Sequence, residues 1–317
     1  MKKSVTALLL VLLLCFACMT SAETVVGDPM ARFRANDIEY EGQTYRPRSR
    51  LTTTLVIGTD RYAEEMPSLS YRSGVQADFL LLLVVDDAAE TITPVQINRD
   101  SMIGVDTYSL FGADTGRRES QICLSYSFGD GRETSCALTK DAVSRLLSGA
   151  KIDYTLALNL DAIPVLNDAL GGVTVTLEDD FTVYDPAMTA GTTLTLRGKQ
   201  AEYYLRMRYF VGDTTNALRL ERQKNYLACA APLLRDRMGE SGRFLNELMD
   251  SVEPYLVTDM ARGFLINLGN RARLYEILPT RTLEGETVTG ADGHVEFYPD
   301  EAALRQLVFD VFYTVVP

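Results

Sequence analysis

Arginine and aspartate residues recur in short, widely separated segments that each adjoin an apolar run of the chain. The set comprises Asp60, Asp78, the adjacent Arg99 and Asp100, and the run Arg206, Arg208, Asp213, Arg219 and Arg222. Charges at the ends of core elements are costly unless they meet partners or a ligand. Forked arginine donors suit phosphate oxygens, and clustered carboxylates suit a hard divalent cation. The set therefore predicts a site for a phosphorylated, metal-bound substrate.

The overall charge favours a small anionic ligand over nucleic acid. The chain has 317 residues, with 31 Lys and Arg against 43 Asp and Glu. A DNA- or RNA-binding protein needs a basic face that replaces counterions, and this acidic balance argues against one. The single histidine, His294, lies in a Gly-Ala-Asp-Gly-His turn. A histidine-based catalytic triad is therefore not expected.

The first 22 residues have the pattern of a targeting segment. Lys2 and Lys3 precede an apolar run from Ala7 to Ala17, and Thr20-Ser21-Ala22 resembles a cleavage site. Cleavage after Ala22 is the preferred interpretation. Retention as an uncleaved membrane anchor and lipidation at Cys18 remain alternatives. All three place the rest of the chain on the extracytoplasmic face of the cell membrane.

Cysteine usage fits an exported protein. Cys123 and Cys136 flank a loop with two glycines, and such a pair predicts a disulfide outside the cytoplasm. A loop of this size would gain about 3 kcal/mol in the chain-entropy model. Two unpaired thiols are the alternative. Cys229 lies in a helical pattern and is expected to be a small core residue.

The elements that must position these charges alternate between strands and helices. Apolar runs at Leu51–Gly58, Phe79–Val85 and Thr91–Ile97 predict three strands, the last two forming a hairpin. Asp60 and Arg99 each follow one of these strands, where open α/β sheets bind ligands. Later strands are predicted at 154–159, 173–177 and 274–278. Helices are predicted at 138–147, 160–170, 197–208, 216–237, 244–252, 260–267 and 301–312.

This alternation continues to the end of the chain without a linker. The sequence therefore predicts one α/β domain over residues 51–317, with a central mixed β-sheet flanked by helices on both faces. Residues 23–50 are mixed and polar. They are predicted to form a stalk or lead-in to the domain.

The ordered segments resemble the LytR-CpsA-Psr family. The matching motifs begin with Leu-Val-Ile-Gly-Thr-Asp60, Ala-Asp78-Phe-Leu-Leu-Leu and Val-Gln-Ile-Asn-Arg99-Asp100. They continue with Ile152-Asp-Tyr-Thr, Leu166-Asn-Asp-Ala-Leu-Gly-Gly, the segment Leu196 to Arg208, and Arg219-Leu-Glu-Arg222-Gln223. The resemblance covers Leu51 to the C-terminus. The cysteine-flanked loop is similar to a variant of the family from clostridial-type bacteria.

The resemblance implies a membrane-attached transferase that faces the cell wall. Such a protein moves an anionic glycopolymer from a polyprenyl pyrophosphate carrier to peptidoglycan by phosphoryl transfer. Carried over by motif, Asp60 and Asp78 would hold a magnesium-type ion. The implied phosphate-binding residues are Arg99, Arg206, Arg208, Arg219, Arg222 and Gln223.

The expected catalytic residues come from the same set: Arg99, Asp100, Arg206, Arg208 and Asp213. Fixed guanidinium groups and a metal stabilise the charge that develops on a pyrophosphate leaving group. The acceptor sugar hydroxyl can serve as the nucleophile. Either Asp100 or Asp213 would then act as the general base.

This chain departs from the family pattern at two charged positions. Gln76 stands where the family usually has an arginine, two residues before Asp78. Asn216 stands where the family often has an aspartate, three residues before Arg219. These departures keep a second interpretation open, a non-catalytic polyprenyl-phosphate-binding or cell-envelope scaffold protein.

Overall fold

The computed structural model describes residues 37–65, 72–212 and 216–316. The predicted targeting segment, the first half of the predicted lead-in and Asp213 lie outside these residues. Within the described ranges, no helix combines the length and the apolar character needed to cross a membrane.

Among the residues that the structure describes, seven strands precede the first α-helix, and helices and strands are then intermixed to the end of the described chain. The strands are β1 (Ile38–Tyr40), β2 (Gln43–Pro47), β3 (Leu51–Thr59), β4 (Ala77–Asp86), β5 (Thr91–Ile97), β6 (Met102–Tyr108), β7 (Asp114–Gln121), β8 (Tyr154–Leu158), β9 (Thr174–Thr176), β10 (Thr193–Thr195), β11 (Leu256–Thr258), β12 (Glu276–Ile277), β13 (Arg281–Thr282), β14 (Gly285–Thr289), β15 (Val295–Pro299) and β16 (Tyr313–Val316). The α-helices are α1 (Glu133–Leu146), α2 (Ala162–Ala169), α3 (Lys199–Arg206), α4 (Asn216–Glu240), α5 (Phe244–Val252), α6 (Arg262–Ala272) and α7 (Glu301–Phe312). Short 3-10 helices lie at Ala63–Glu65, Ile122–Phe128 and Glu253–Tyr255.

The chain divides into two compact units, each built from separate stretches of sequence. The helix-rich unit contains Leu158–Leu256 and Ala261–Thr280. The strand-rich unit contains the described residues up to Ala157, together with Val257–Met260 and the residues from Arg281 onward. The single domain expected over residues 51–317 stays a prediction.

A mixed sheet forms the centre of the strand-rich unit. Its strands β8, β3, β4 and β5 are neighbours in that order, and β13 lies beside β5. The pairs β3–β4 and β4–β5 are antiparallel, whereas β13 runs parallel to β5. Most side chains of strand β4 are buried, and its sequence is accordingly a nearly continuous apolar run. The predicted α/β class, the central mixed sheet and the β4–β5 hairpin are confirmed.

The end of the predicted lead-in is folded rather than extended. Strands β1, β2 and β16 form a three-stranded sheet in which β2 pairs with both neighbours. The ring of Tyr45 stacks on that of Phe309 in α7, with the ring centroids 4.1 Å apart. Tyr45 also belongs to the main hydrophobic core. From Ile38 onward the predicted stalk or lead-in therefore contains sheet, because an alternating strand of this kind buries one face even where its composition is polar.

The helix-rich unit is held at its centre by a buried asparagine. The Asn167 amide donates to the carbonyl of Leu196 at 2.9 Å, and its oxygen accepts from the Val173 amide at 3.1 Å and the Tyr226 hydroxyl at 3.2 Å. These bonds join α2, α4 and the chain just before α3. They fix the approach to α3, at whose end Arg206 and Arg208 lie.

Candidate functional site

Asp60 and Asp78 lie at the same end of the antiparallel pair β3 and β4. Asp60 follows β3, and its backbone N–H donates to the Gln76 carbonyl at 3.1 Å. The Gln76 N–H donates in turn to the Asp60 carboxylate at 2.9 Å. A register shift between Gly58 and Thr59 creates a bulge immediately before this contact. The bulge and the returned hydrogen bond place the Asp60 carboxylate opposite the start of β4, which carries Asp78.

Arg99 is surrounded by acceptors from this same group of residues. Its guanidinium forms ion pairs with Asp78 and, between Nε and a carboxylate oxygen 3.3 Å apart, with Asp100. Its Nη2 donates to the Gln76 side-chain oxygen at 2.9 Å and to the Cys123 sulfur at 3.4 Å. The positive charge of Arg99 is therefore compensated within the protein. We call Asp60, Gln76, Asp78, Arg99 and Asp100 the Arg99 cluster.

Asp100 is buried and fixed by its own turn. Its N–H donates to the side chain of Asn98 at 3.0 Å, and its carboxylate accepts from the Gln121 side chain at 3.1 Å. Together with the ion pair to Arg99, these contacts occupy the carboxylate with donors from the protein. This arrangement favours a role for Asp100 in positioning Arg99 over a role as the acceptor of a proton from a substrate.

The Arg99 cluster offers two carboxylates to a divalent cation. Within the described residues, no group of three or more His, Cys, Asp and Glu side chains is arranged to hold a metal by itself. Mg²⁺ is commonly held by one or two carboxylates, with phosphate and water oxygens completing its shell. Asp60 and Asp78 fit that kind of site.

The predicted disulfide between Cys123 and Cys136 is not formed, because both residues are free thiols in the structure. Cys123 lies on the 3-10 helix at Ile122–Phe128, where its sulfur accepts from Arg99. Cys136 lies on α1, where its thiol interacts with Tyr126 and Thr155. Burial raises the pKa of Cys123 to about 11 and that of Cys136 to about 12. The two sulfurs therefore meet different partners, and each is held as a neutral thiol.

In the helix-rich unit, two arginines lie where α3 ends. Arg206 occupies the last position of α3 and forms an ion pair with Glu202, with 3.7 Å between the nitrogen and the oxygen. Glu202 is fully buried and also pairs with Lys199 at 3.1 Å. Met207 is extended, and the guanidinium of Arg208 lies over the exposed ring of Tyr209, 5.6 Å from its centroid. The helix therefore ends between the two arginines.

Two side chains of helix α4 donate hydrogen bonds to backbone carbonyls at this end of α3. Arg222 Nη2 donates to the Met207 carbonyl at 2.6 Å, and the Gln223 side chain donates to the Leu205 carbonyl at 3.3 Å. Carbonyls at a helix end lack intrahelical partners, and these donors satisfy two of them. Arg222 and Gln223 thus help to position Arg206 and Arg208.

Arg222 is buried without a full set of partners. It is 6% exposed, and its guanidinium lies 5.0 Å from the centroid of the Phe181 ring. Burial lowers the pKa of Arg222, an effect that the charge of Asp179 opposes and that of Arg219 reinforces. Among the described residues, Nε and Nη1 of Arg222 have no hydrogen-bond partner. Two buried, charged donors without acceptors indicate a place for an anion. We call Arg206, Arg208, Arg219, Arg222 and Gln223 the Arg222 cluster.

The structure thus groups the predicted residues into two clusters, one in each unit, and Asp213 lies outside the described residues. Sequence reasoning missed the support that Gln76 and Cys123 give to Arg99, and that Phe181 and Glu202 give to the other arginines. Phe181 lies in the segment between β9 and β10, where its side chain is fully buried. Two aromatic residues in this segment, Phe181 and Tyr184, were the available signal.

The fold and the two clusters are those of an α/β protein equipped with arginines and carboxylates suited to phosphate. The chain belongs to the LytR-CpsA-Psr family, since the model of the LytR_cpsA_psr family matches residues 30–308. The resemblance seen in the sequence is confirmed.

Two curated relatives match part of the chain. Biofilm regulatory protein A of Streptococcus mutans is 27% identical over 165 residues, which are 49% of this chain and 37% of that protein. The polyisoprenyl-teichoic acid–peptidoglycan teichoic acid transferase TagU of Bacillus subtilis is 32% identical over 134 residues, or 42% of this chain and 39% of TagU. The chain therefore spans about two fifths of the length of the curated relatives it matches.

Solved structures share the fold over most of the chain. Protein gbs0355 of Streptococcus agalactiae has a TM-score of 0.67 at 21% identity, covering 83% of this chain and 87% of that one. TagV of B. subtilis has a TM-score of 0.63 at 19% identity, with coverages of 83% and 96%. TagT bound to LI-WTA has a TM-score of 0.62 at 18% identity, with coverages of 83% and 90%. At these identities the likeness establishes the fold alone.

Proposed function

We propose that this protein transfers an anionic glycopolymer from a polyprenyl pyrophosphate carrier to peptidoglycan by phosphoryl transfer. The observation that carries the proposal is the buried guanidinium of Arg222, whose Nε and Nη1 have no acceptor among the described residues. Family membership and the transferase activity in the name of TagU support it. Teichoic acid and capsule polymers are the glycopolymer classes that fit.

The Arg222 cluster is proposed to bind the pyrophosphate. Charge accumulates on a pyrophosphate leaving group as the bond to the transferred phosphoryl group breaks, and fixed guanidiniums stabilise that charge where it forms. Arg222 can offer two N–H groups without first breaking a contact within the protein. Arg206 is paired with the buried Glu202, which limits its motion and directs its remaining donors.

A magnesium-type ion is the proposed cofactor, with Asp60 and Asp78 as its protein ligands. When bound, such an ion would neutralise charge on the phosphate oxygens. Arg99 holds the Asp78 carboxylate, and the Gln76 N–H holds that of Asp60. Both carboxylates are thereby oriented by the protein itself.

The acceptor hydroxyl of peptidoglycan is proposed to attack the phosphorus directly. Asp100 already accepts from Gln121 and pairs with Arg99, so we assign it a positioning role. Asp213 is then the proposed general base. The reaction would take place on the extracytoplasmic face of the cell membrane, where the N-terminal targeting pattern directs the chain.

A transfer assay tests the proposal. The full chain is incubated with a polyprenyl-pyrophosphate-linked glycopolymer and peptidoglycan, with Mg²⁺ or with EDTA, and polymer attached to the wall is measured. We expect attachment with Mg²⁺ and its loss with EDTA. Retained attachment in EDTA would remove the metal from the proposal, and no attachment under either condition would remove the transferase.

One observation favours a second function, a non-catalytic polyprenyl-phosphate-binding or scaffold protein. Arg99 is occupied by Asp78, Asp100 and Gln76, and so presents its charge to carboxylates rather than to a phosphate. This function predicts that polyprenyl phosphate copurifies with the protein, as measured by mass spectrometry of extracted lipid, and that no transfer occurs. Replacing Gln76→Arg and Asn216→Asp together should then raise transfer above background.

A further inference from the structure

A two-stranded hairpin extends from the Arg99 cluster. Strands β6 and β7 pair in antiparallel register from Met102 with Gln121 to Tyr108 with Asp114. At about 3.3 Å per residue, the seven residues of β6 reach about 23 Å. We call residues Met102–Gln121 the finger. Its first strand begins two residues after Asp100.

The tip of the finger is an ordered turn that exposes two large apolar side chains. The Ser109 N–H donates to the Ala113 carbonyl at 2.8 Å, and the Ser109 hydroxyl accepts from the amides of Phe111 and Ala113 at 3.3 and 3.1 Å. Gly112 has a φ of 78°, which glycine adopts without strain. Leu110 is 70% exposed and Phe111 is 89% exposed. The turn holds both side chains away from the protein.

The stem of the finger is braced along its length. Asp106 forms ion pairs with Arg117 across the hairpin at 2.8 Å and with Arg145 of α1 at 3.0 Å. Nearer the tip, the hydroxyls of Thr107 and Thr115 are 2.8 Å apart. At the base, Gln121 donates to the carboxylate of Asp100. The finger is therefore a stiff extension of the turn that carries Arg99 and Asp100.

We infer that the tip of the finger inserts into the headgroup–acyl boundary of a lipid bilayer. Phe and Leu side chains are favourable at that depth, and aromatic residues such as Tyr108 are typical of it. Between Thr107 and Gly116 the only charged residue is Asp114. Insertion should therefore be driven by apolar contact and should occur on zwitterionic lipid, despite the net charge of −12.

Size argues for a bilayer over a protein partner. A stable protein interface covers about 800 Å² on each partner, far more than a convex turn with two apolar side chains presents. A bilayer accepts such a small prong as one of two weak signals. The second signal would be the N-terminal apolar run, if it is retained as an anchor, the alternative to cleavage after Ala22. The choice of a bilayer also rests on the proposed function, in which the donor is a membrane lipid.

The chain contains no tryptophan, so a single introduced one reports on its own surroundings. Full-length Phe111→Trp is mixed with phosphatidylcholine vesicles whose acyl chains carry bromine. We expect its emission to shift to shorter wavelength and to be quenched by the bromines. The matched control is Leu274→Trp, because Leu274 is 76% exposed and lies outside the finger. Its emission should change much less.

A second variant separates insertion from loss of folding. Adding Leu110→Asp to Phe111→Trp should abolish the emission shift while leaving the far-ultraviolet circular dichroism unchanged. The inference is overturned by an unshifted Phe111→Trp, by equal quenching of Leu274→Trp, or by a response to peptidoglycan and none to vesicles. The emission requires no turnover. Insertion without transfer activity would therefore remove only the proposed function, and transfer activity without insertion would remove only this inference.

Discussion

The charge of the central arginine is compensated differently in the two clusters. In the strand-rich unit, Arg99 meets Asp78, Asp100 and the oxygen of Gln76, so its charge is compensated inside the protein. In the helix-rich unit, Arg222 is more deeply buried, yet two of its nitrogen atoms have no acceptor among the described residues. Its contacts are a carbonyl and an aromatic face. Arg99 Nε likewise has no hydrogen-bond partner among the described residues, but it lies 3.3 Å from an Asp100 oxygen, whereas the two unpartnered nitrogens of Arg222 have no such carboxylate.

The two arginines are therefore expected to contribute differently to stability and to binding. A compensated arginine stabilises the fold and orients carboxylates, and its removal exposes buried negative charge. A buried arginine with unpartnered donors costs folding free energy, and a bound anion would offset that cost. Replacing Arg99 and replacing Arg222 are therefore expected to have different effects on stability and on transfer.

The largest effect is expected for Arg222→Met. Loss of a fixed donor at a developing oxyanion lowers kcat by about 10²- to 10³-fold, and we expect transfer to fall at least that far. The free energy of unfolding should stay equal or rise, because a buried charge without full compensation is removed. Transfer assays and urea denaturation measure the two quantities. The control is Arg243→Met, an exposed arginine of the same unit, which should change neither.

Arg99→Met is expected to lower the stability of the fold, which Arg222→Met is not expected to do. It leaves Asp78 and the buried Asp100 without their cation, and we expect the free energy of unfolding to fall by about 2 kcal/mol, a value reduced for partial exposure of the pair. Adding Asp78→Asn should recover part of this loss, as measured by a double-mutant cycle in urea. If Arg99→Met proved as stable as the wild type, the two clusters would not differ in the way described.

The stability of the protein at alkaline pH tests the burial of Cys123, which contacts Arg99. Burial raises the pKa of Cys123 from 9.0 to about 11, so the folded protein binds a proton that the unfolded chain releases above pH 9. Stability from this thiol is complete below pH 9 and falls as pH rises toward 11, by about 2 kcal/mol. Cys123→Ala should reduce the fall in unfolding free energy between pH 9 and 11, and the part that comes from the buried Cys136 thiol should remain. Both Cys123 and Cys136 should also react with a thiol reagent once the protein is unfolded without reductant.

The sequence predicts the strand ends well and the partners of the charges poorly. Asp60 and Asp78 are found where the apolar runs place them, because the pattern of a buried strand and its turn is local. The contacts of Cys123 with Arg99 and of Phe181 with Arg222 join segments 24 and 41 residues apart, and no local pattern encodes them. The expected disulfide was wrong for the same reason. Spacing and compartment favour pairing, but packing directs the two sulfurs to different neighbours.

The smallest effect is expected at Gln76, whose side chain contributes a single hydrogen bond to Arg99. Gln76→Leu keeps the backbone contacts with Asp60 and removes the oxygen that accepts from Arg99. A hydrogen bond to a charged donor contributes about 1.5 kcal/mol, and we expect a loss of about that size in the free energy of unfolding. Gln76→Glu supplies a charged acceptor and should retain the stability. Equal losses in both variants would show that Arg99 is held by its two aspartates alone, and that the glutamine found in place of the family's arginine has no part in completing the cluster.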